Sequence, residues 1–453
     1  MTRAVYWFTQ DLRVSDNPGL QALLAGSQAV AFVYVLNPKD FEHRNYQQKA
    51  IGHHRWRFLS ESLIDLSRQL HRRGHTLTLL EGEPGEQIQQ FVQQHQVHEL
   101  GVAHQVGWFE QQALANVRRA CVNLVVRSVW NTTLFDRADI EHAPLGSFSR
   151  FRSYVEKQDT PIAPIAQTLP QPWPAPFEGE MFNRPHKRFV SQLNHYSAQL
   201  IQDDHELSAV KTENGFIGGE QAAQDHLHGY FNTGLPDTYK QTRNALDDWS
   251  SSTKFSPYLA LGNLSPRQIC HRLKQYENDN GANDSTYWIG FELLWREYFQ
   301  WLVFQNPKQC FLFQGGATDK PLTSFYPQRF AKWCKGETPF PLVNACMHQL
   351  NATGYMSNRG RQIVASCLVN ELALDWRFGA AYFQQQLIDY DVASNWGNWQ
   401  YIAGVGADPR GGRFFNLDKQ TQIYDPKGEF INTWNGEGST TVLDAVDAAD
   451  WPI

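Results

Sequence analysis

The sequence predicts an α/β, doubly wound parallel-sheet domain followed by a larger all-α domain. Three observations carry this reading. Short apolar runs at 4–8, 29–35, 76–80, 100–103 and 124–126 alternate with helical patterns, the signature of buried parallel strands joined by crossover helices. Prolines then crowd together at Pro161, Pro164, Pro170, Pro172, Pro174, Pro176 and Pro185, which forbids helix interiors and central strands. Beyond about residue 198 strand signals vanish and helical periodicity takes over. The expected organisation is an α/β domain over 1–136, an extended Pro-rich linker over 137–197, a helical domain over 198–435 and a solvated tail over 436–453.

Taken in order, the runs AVYWF, AVAFVYV, TLTLL, LGVA and LVV supply the five strands. Between the second and third, Trp56, Leu59, Leu63, Leu66 and Leu70 recur at steps of three and four and are followed by Gly74, which reads as an amphipathic helix with a glycine stop. The α/β part contains neither GxGxxG nor GxxxxGK[ST], so the usual phosphate-cradling loops are missing. In the second half, 288–304 and 362–374 are the longest helical stretches. The tail carries Asp and Glu without Lys or Arg.

Composition narrows the function classes. The 453 residues hold 40 Lys+Arg against 46 Asp+Glu, a net charge of -6, so phosphate contacts must come from a local patch. Aromatics reach 13%, with 15 Trp and 17 Tyr, which suits either a large aromatic core or a planar ligand, base stacking and electron hopping. The 6 cysteines form no CxxC pair and no histidine stands at metal-ligand spacing, so neither a metal site nor a disulfide framework is expected. His53 and His54 are adjacent and do not share a helix face. The opening residues form neither a signal peptide nor a membrane span, and a cytoplasmic location is expected.

Four clusters in the helical half carry candidate chemistry. Glu292 and Arg296 stand four apart between Trp288 and Trp295 in an apolar stretch; a surface salt bridge is the competing reading. Arg359 and Arg361 arrive with Asn358 at a helix start, suited to an anion, against the alternative of a capping loop with exposed arginines. Asp389 and Asp391 precede Ser394, Asn395, Gly397, Asn398 and Trp399 in a stretch that reads as turn-rich and flanked by apolar residues, which implies a large polar ligand. Upstream, Ser252, Thr253 and Ser256 with Lys254 form a hydroxyl-rich turn before a helix, a diphosphate site built from donors.

At these residues the chain resembles the cryptochrome/photolyase flavoproteins, and within them the DASH-type cryptochromes. The resemblance spans 4 to about 434. Its opening, WFTQDLRVSDNPGL, has Thr9 where the signature usually has Arg. The helical end matches more densely, through GGEQAA, TKFSPYLALGNLSPR, FELLWREYF, TGYMSNRGRQ, DWRFGA, DYDVASNWGNWQY and AGVGADPR. The resemblance implies a photolyase-like fold whose helical domain binds FAD. Tyr239, Arg243, Ser252, Thr253, Phe255, Ser256 and Arg296 match diphosphate and adenosine-side positions. Asn358, Arg361, Asp389, Asp391 and Asn395 match positions around the ribityl chain and isoalloxazine, with Asn395 facing flavin N5.

The implied activity is light-driven repair of cyclobutane pyrimidine dimers, with Glu292 bonding the base edge, Asn358 near it and Trp295 a stacking wall. Gln362 and Tyr401 look like the DASH type, where duplex-repairing enzymes commonly carry Met and Trp, so single-stranded DNA is the expected partner of a monomeric protein. Arg359, Arg410 and Arg413 supply local positive charge. The alternative is a blue-light sensor without repair; a sensor would not need Glu292 or these arginines. A folate antenna, 5,10-methenyltetrahydrofolate, is implied as a second cofactor, with Glu110 as its acidic contact, although Val106 and Gly107 depart from the polar pattern. For electron supply, Trp399 and Trp376 match the inner and middle members of a tryptophan chain. The outer position falls near Leu322 or Thr323; either Tyr326, or another surface aromatic, replaces it, or the chain stops at Trp376.

Overall fold

The computed structural model describes residues 2–166, 169, 171–183, 186–203, 215–406, 412–437 and 443. The five apolar runs become β1 (Arg3–Phe8), β2 (Ala29–Leu36), β3 (Leu77–Glu81), β4 (Glu99–Ala103) and β5 (Val125–Val129), in the sheet order β3-β2-β1-β4-β5. All pairings are parallel, with Val5 opposite Ala31 on one side and Leu100 on the other. The crossovers are α1 (Pro18–Gly26), α2 (His53–His71), α3 (Pro84–Gln94) and α4 (Trp108–Ala120). The stripe Trp56, Leu59, Leu63, Leu66 and Leu70 is buried on α2, and Gly74 takes φ +78 behind it.

Because side chains alternate across a strand, the two sheet faces enter different cores. Val5, Trp7, Ala31 and Val33 pack against α3 and α4. Tyr6, Phe8, Phe32 and Leu36 belong to a second core that continues without interruption into the helical domain. One sheet face is therefore the floor on which that domain rests.

The segment 137–197 differs from the extended linker expected of it. It forms the helices Arg137–Ile140, Phe148–Lys157 and His186–Asp203; in the second, Phe148, Phe151 and Val155 recur at helical spacing between Pro144 and Pro161. The Pro-rich part does stay extended, and Ala175–Pro176 pairs with β2 at Ala29 and Val30, beyond the end of β3 pairing. Trp56 of α2 donates its indole N–H to Ser197 Oγ at 2.9 Å, which ties His186–Asp203 down.

In the helical half, Asp284–Gln305 begins at an Asn283 capping box. The expected helix 362–374 is instead Asn358–Ser366 followed by a wide turn at Cys367–Glu371. The stretch read as turn-rich after Asp391 is the helix Val392–Ala403: Asp391 caps it by accepting from Ser394 N at 2.7 Å. Its Gly397 serves packing, since a Cβ there would lie 2.4 Å from the Phe299 ring.

Buried charges stitch the two domains together. Arg13, fully buried, donates to Gly262 O at 2.9 Å and to Asp16 O at 2.8 Å. Arg267 pairs with Asp16 Oδ2 at 3.1 Å and also donates to the carbonyls of Trp130 and Thr133. Glu220 accepts from Val14 N at 2.7 Å and Ser15 N at 2.9 Å, and Glu297 from Leu134 N at 2.9 Å. Among the described residues no helix is long and apolar enough to cross a membrane, and no cluster of three His, Cys, Asp or Glu could hold a metal ion.

Candidate active site

The helices Asn358–Ser366 and Val392–Ala403, with the loop before the second, line a partly open cavity of ≈ 120 Å³. Asn358, Arg361, Gln362, Asp389, Asp391, Asn395, Trp399 and Tyr401 all line it, so residues separated in sequence by some thirty to forty positions meet there as expected. Arg361 donates to Asp389 Oδ2 at 2.8 Å, and Ser256 Oγ donates to the same oxygen at 2.6 Å. Asp389 Oδ1 is buried with no hydrogen-bond partner. A buried carboxylate oxygen left unsatisfied is costly, and a donor on a bound ligand would relieve it.

Asp391 is engaged differently. Besides capping its helix it accepts from Gln300 Nε2 at 2.9 Å, so it shapes the cavity through the backbone it holds. Asn395 donates from Nδ2 to Ala380 O at 3.0 Å, leaving Oδ1 as the amide atom available to a ligand. Trp399 is buried against Gly379, where a Cβ would come within 2.3 Å of the indole.

The remaining expected contacts lie outside the cavity lining. Lys254 Nζ bonds Ser252 Oγ at 2.9 Å and stands 5.2 Å from the Tyr355 ring centroid, with the Arg361 guanidinium 5.6 Å from the same ring, so the hydroxyl-rich turn adjoins the cavity across Tyr355. Burial lowers the Lys254 ammonium to about 8. The Thr253 carbonyl accepts from His226 Nε2 at 2.8 Å, and Phe255 is buried among Tyr230, Phe231 and His226. Tyr239 is buried, and its hydroxyl is raised by that burial and by Glu292.

Glu292 does not pair with Arg296, the partner its spacing suggests. Its Oε1 accepts from Arg243 NH1 at 2.6 Å, and the Arg243 guanidinium lies 5.1 Å from the Trp288 ring centroid. Burial raises the Glu292 carboxyl, opposed by Arg243. Arg296 instead donates to Thr132 O at 2.7 Å, a strut between domains. Trp295 is stacked on Phe148 at 3.6 Å and meets Tyr401 edge-on at 5.9 Å.

Arg359 lies 4.8 Å from the Tyr424 ring centroid, and Arg413 donates to the Tyr401 hydroxyl. Arg410 lies outside the described residues. Sequence reasoning missed Gln300 and Tyr355; the available signal for Gln300 was a polar residue inside the apolar run YFQWLVF.

Comparison with known proteins agrees with this geometry. Residues 4–176 match the DNA photolyase family and residues 288–448 the FAD binding domain of DNA photolyase. A protein named Cryptochrome DASH from Idiomarina loihiensis is 47% identical over 457 residues, covering 99% of this chain and 96% of the relative. The chain belongs to the cryptochrome/photolyase family, in its DASH branch. A second Cryptochrome DASH, from Vibrio parahaemolyticus, is 45% identical across 99% of this chain and 97% of its own length. The crystal structure of the Synechocystis cryptochrome superposes with a TM-score of 0.82 at 34% identity, over 96% of this chain and 88% of that one. The helical half is thus an FAD-binding domain on a photolyase-type fold, and the orphaned Asp389 oxygen beside Arg361 fits that cofactor.

Proposed function

We propose that the chain repairs cyclobutane pyrimidine dimers in single-stranded DNA under blue or near-ultraviolet light. Bound reduced FAD supplies the electron for ring cleavage; the protein supplies placement and electrostatics. Arg361, held by Asp389, offers positive charge to an anionic flavin. Glu292, whose carboxyl is raised by burial, presents a hydrogen-bonding edge suited to a base. The observation that carries the single-strand reading is the cavity lining. Tyr401 and Gln362 belong to it, and the Tyr401 hydroxyl is tied to Arg413. A smaller ring and a polar side chain there provide less stacking energy to offset extrusion of a dimer from a duplex, a cost that a single strand largely avoids.

The test is illumination of the reduced protein with dimer-containing single-stranded and duplex DNA, scoring restored bases against a dark control. Repair of single strands that falls steeply with salt is the expected result. Glu292→Ala is expected to lower repair about 100-fold while FAD content stays near wild type. Equal repair of unmelted duplex overturns the single-strand reading, and no repair of either substrate favours a light sensor.

The folate antenna has its own support. Glu110 Oε2 is buried without a partner in the cleft between the domains, near Arg55, and Tyr390 packs under the Arg55 guanidinium at 4.3 Å. Gently purified protein is expected to show a folate absorption band that Glu110→Gln weakens; flavin bands alone would remove the antenna.

A further inference from the structure

From Trp376 outward, a series of ring contacts leads toward the surface. Trp376 is buried, donates its indole N–H to Phe313 O at 3.0 Å and meets Trp396 at 5.8 Å between centroids. Trp396 in turn touches Phe311 at 4.8 Å and Tyr46 at 6.3 Å, and its indole N–H donates to the Tyr390 hydroxyl at 3.2 Å. Tyr326, by contrast, lies under the Arg329 guanidinium at 4.4 Å, and among the described rings it makes no contact with Trp376.

Of the three neighbours of Trp396 beyond Trp376, one can lose both an electron and a proton. Phe311 has no heteroatom. Tyr390 is buried beneath Arg55, whose charge opposes an electron vacancy and which shuts the phenol from water. Tyr46 is half-buried at the surface, with the Arg377 guanidinium 5.7 Å from its ring centroid. That guanidinium is itself neutralised by Asp375, through Nε at 3.1 Å and NH2 at 2.7 Å to Oδ2. Tyr46 and Gln47 sit at φ 59 and 57, a left-handed conformation that side chains other than glycine keep only where the surroundings impose it. Here it turns the ring inward against Phe378 and Trp396.

We propose that Tyr46, reached through Trp396, is the terminal one-electron donor to the photoexcited flavin. This rests on the reading that Trp399 is the first donor. The flavin takes one electron from Trp399, and the vacancy passes through Trp376 and Trp396. Tyr46 then gives up one electron; its O–H bond breaks and the proton leaves to surface water. A thiol in solution returns one hydrogen atom to Tyr46 and is itself oxidised by one electron.

The experiment uses FAD-loaded wild type, Tyr46→Phe, Trp396→Phe, Tyr326→Phe and Trp399→Phe, illuminated and followed by transient absorption and by electron paramagnetic resonance of frozen samples, with FAD content measured in each. A neutral tyrosyl signal is expected in wild type and Tyr326→Phe. It is expected to vanish in Tyr46→Phe and Trp396→Phe, with charge separation shortened severalfold and FAD content unchanged. A tyrosyl signal that survives Tyr46→Phe, or that is lost in Tyr326→Phe, overturns the proposal, as does a wild type without one. Unimpaired photoreduction in Trp399→Phe would instead remove the first-donor reading beneath it.

Discussion

The seam between the domains and the flavin cavity are built from the same residue types and finished in opposite ways. At the seam, the Arg267 guanidinium reaches Asp16 Oδ2 and the Trp130, Thr133 and Asn131 carbonyls, and Asp16 Oδ2 also accepts from Ser265 Oγ. In the cavity, Arg361 and Asp389 form a shorter pair, 2.8 Å against 3.1 Å, yet among the described residues Asp389 Oδ1 is left without a partner and Arg361 keeps a quarter of its side chain exposed, at 25%. A saturated cluster has nothing to offer a ligand and fixes geometry. An unsaturated one stores a desolvation cost that ligand binding relieves.

The strongest way to break the comparison is Arg267→Ala. It leaves Asp16 buried without its ion-pair partner, and the expected loss is about 3–5 kcal/mol of stability. Denaturant unfolding should show this with or without FAD, because the seam touches no cofactor. A variant that unfolds like wild type would mean that the seam is dispensable and that saturation says nothing about role.

Asp389→Asn should move the other observable. It abolishes an ion pair facing the cavity, and FAD affinity is expected to fall about 10- to 100-fold, ~1.4–2.8 kcal/mol, while unfolding of the FAD-free protein changes little. Equilibrium dialysis against FAD separates the two effects. Loss of apo stability equal to that of Arg267→Ala would erase the distinction between the two regions.

A smaller effect is expected from Gly379→Ala. The added Cβ would lie 2.3 Å from the Trp399 indole, so the ring must shift, at about 1–3 kcal/mol for an overpacked core. Flavin photoreduction is expected to slow while FAD stays bound; an unchanged rate would show that the Trp399 position is not critical.

These contrasts also mark what the sequence could disclose. Strands β1 to β4 were legible because a buried parallel strand has to be a short apolar run, whereas β5, read as buried too, is an exposed edge with Val125 at 53%; the cavity was legible because Arg361, Asp389 and Asn395 stand in dense polar motifs. The seam was not, since Arg267 and Asp16 lie 251 positions apart and nothing in the motifs that hold them says that they pair. Glu292 shows the limit of spacing: four residues to Arg296 suggested a pair, but helix geometry fixes only a shared face, and Arg243 approaches from another element. Tyr46 was invisible for a different reason. Its left-handed turn contains no glycine or asparagine at the residue itself, so nothing announces it.

The smallest expected effect concerns Asp40, in the cleft with Glu110 and Arg55, and it tests whether that cleft behaves like the seam or like the cavity. Burial raises the Asp40 carboxyl from 3.8 to about 6, with Arg55 opposing the shift. The fold therefore favours the protonated acid, so the stabilising share of this group is complete below pH 3.8, declines as pH rises through about 6 and is absent above it. Asp40→Asn, which carries no charge, should flatten that part of the stability profile and stabilise the cofactor-free protein at pH 7 by about 1–3 kcal/mol, reduced from the full shift because the side chain is not wholly shielded from water. Urea unfolding at several pH values checks it. If Asn destabilises at pH 7, Arg55 depends on Asp40 as a true ion-pair partner, and the cleft is a second saturated seam. If it stabilises, the carboxyl is held there against its own preference, as Asp389 Oδ1 is, and the cleft shares the unsatisfied character of a binding site.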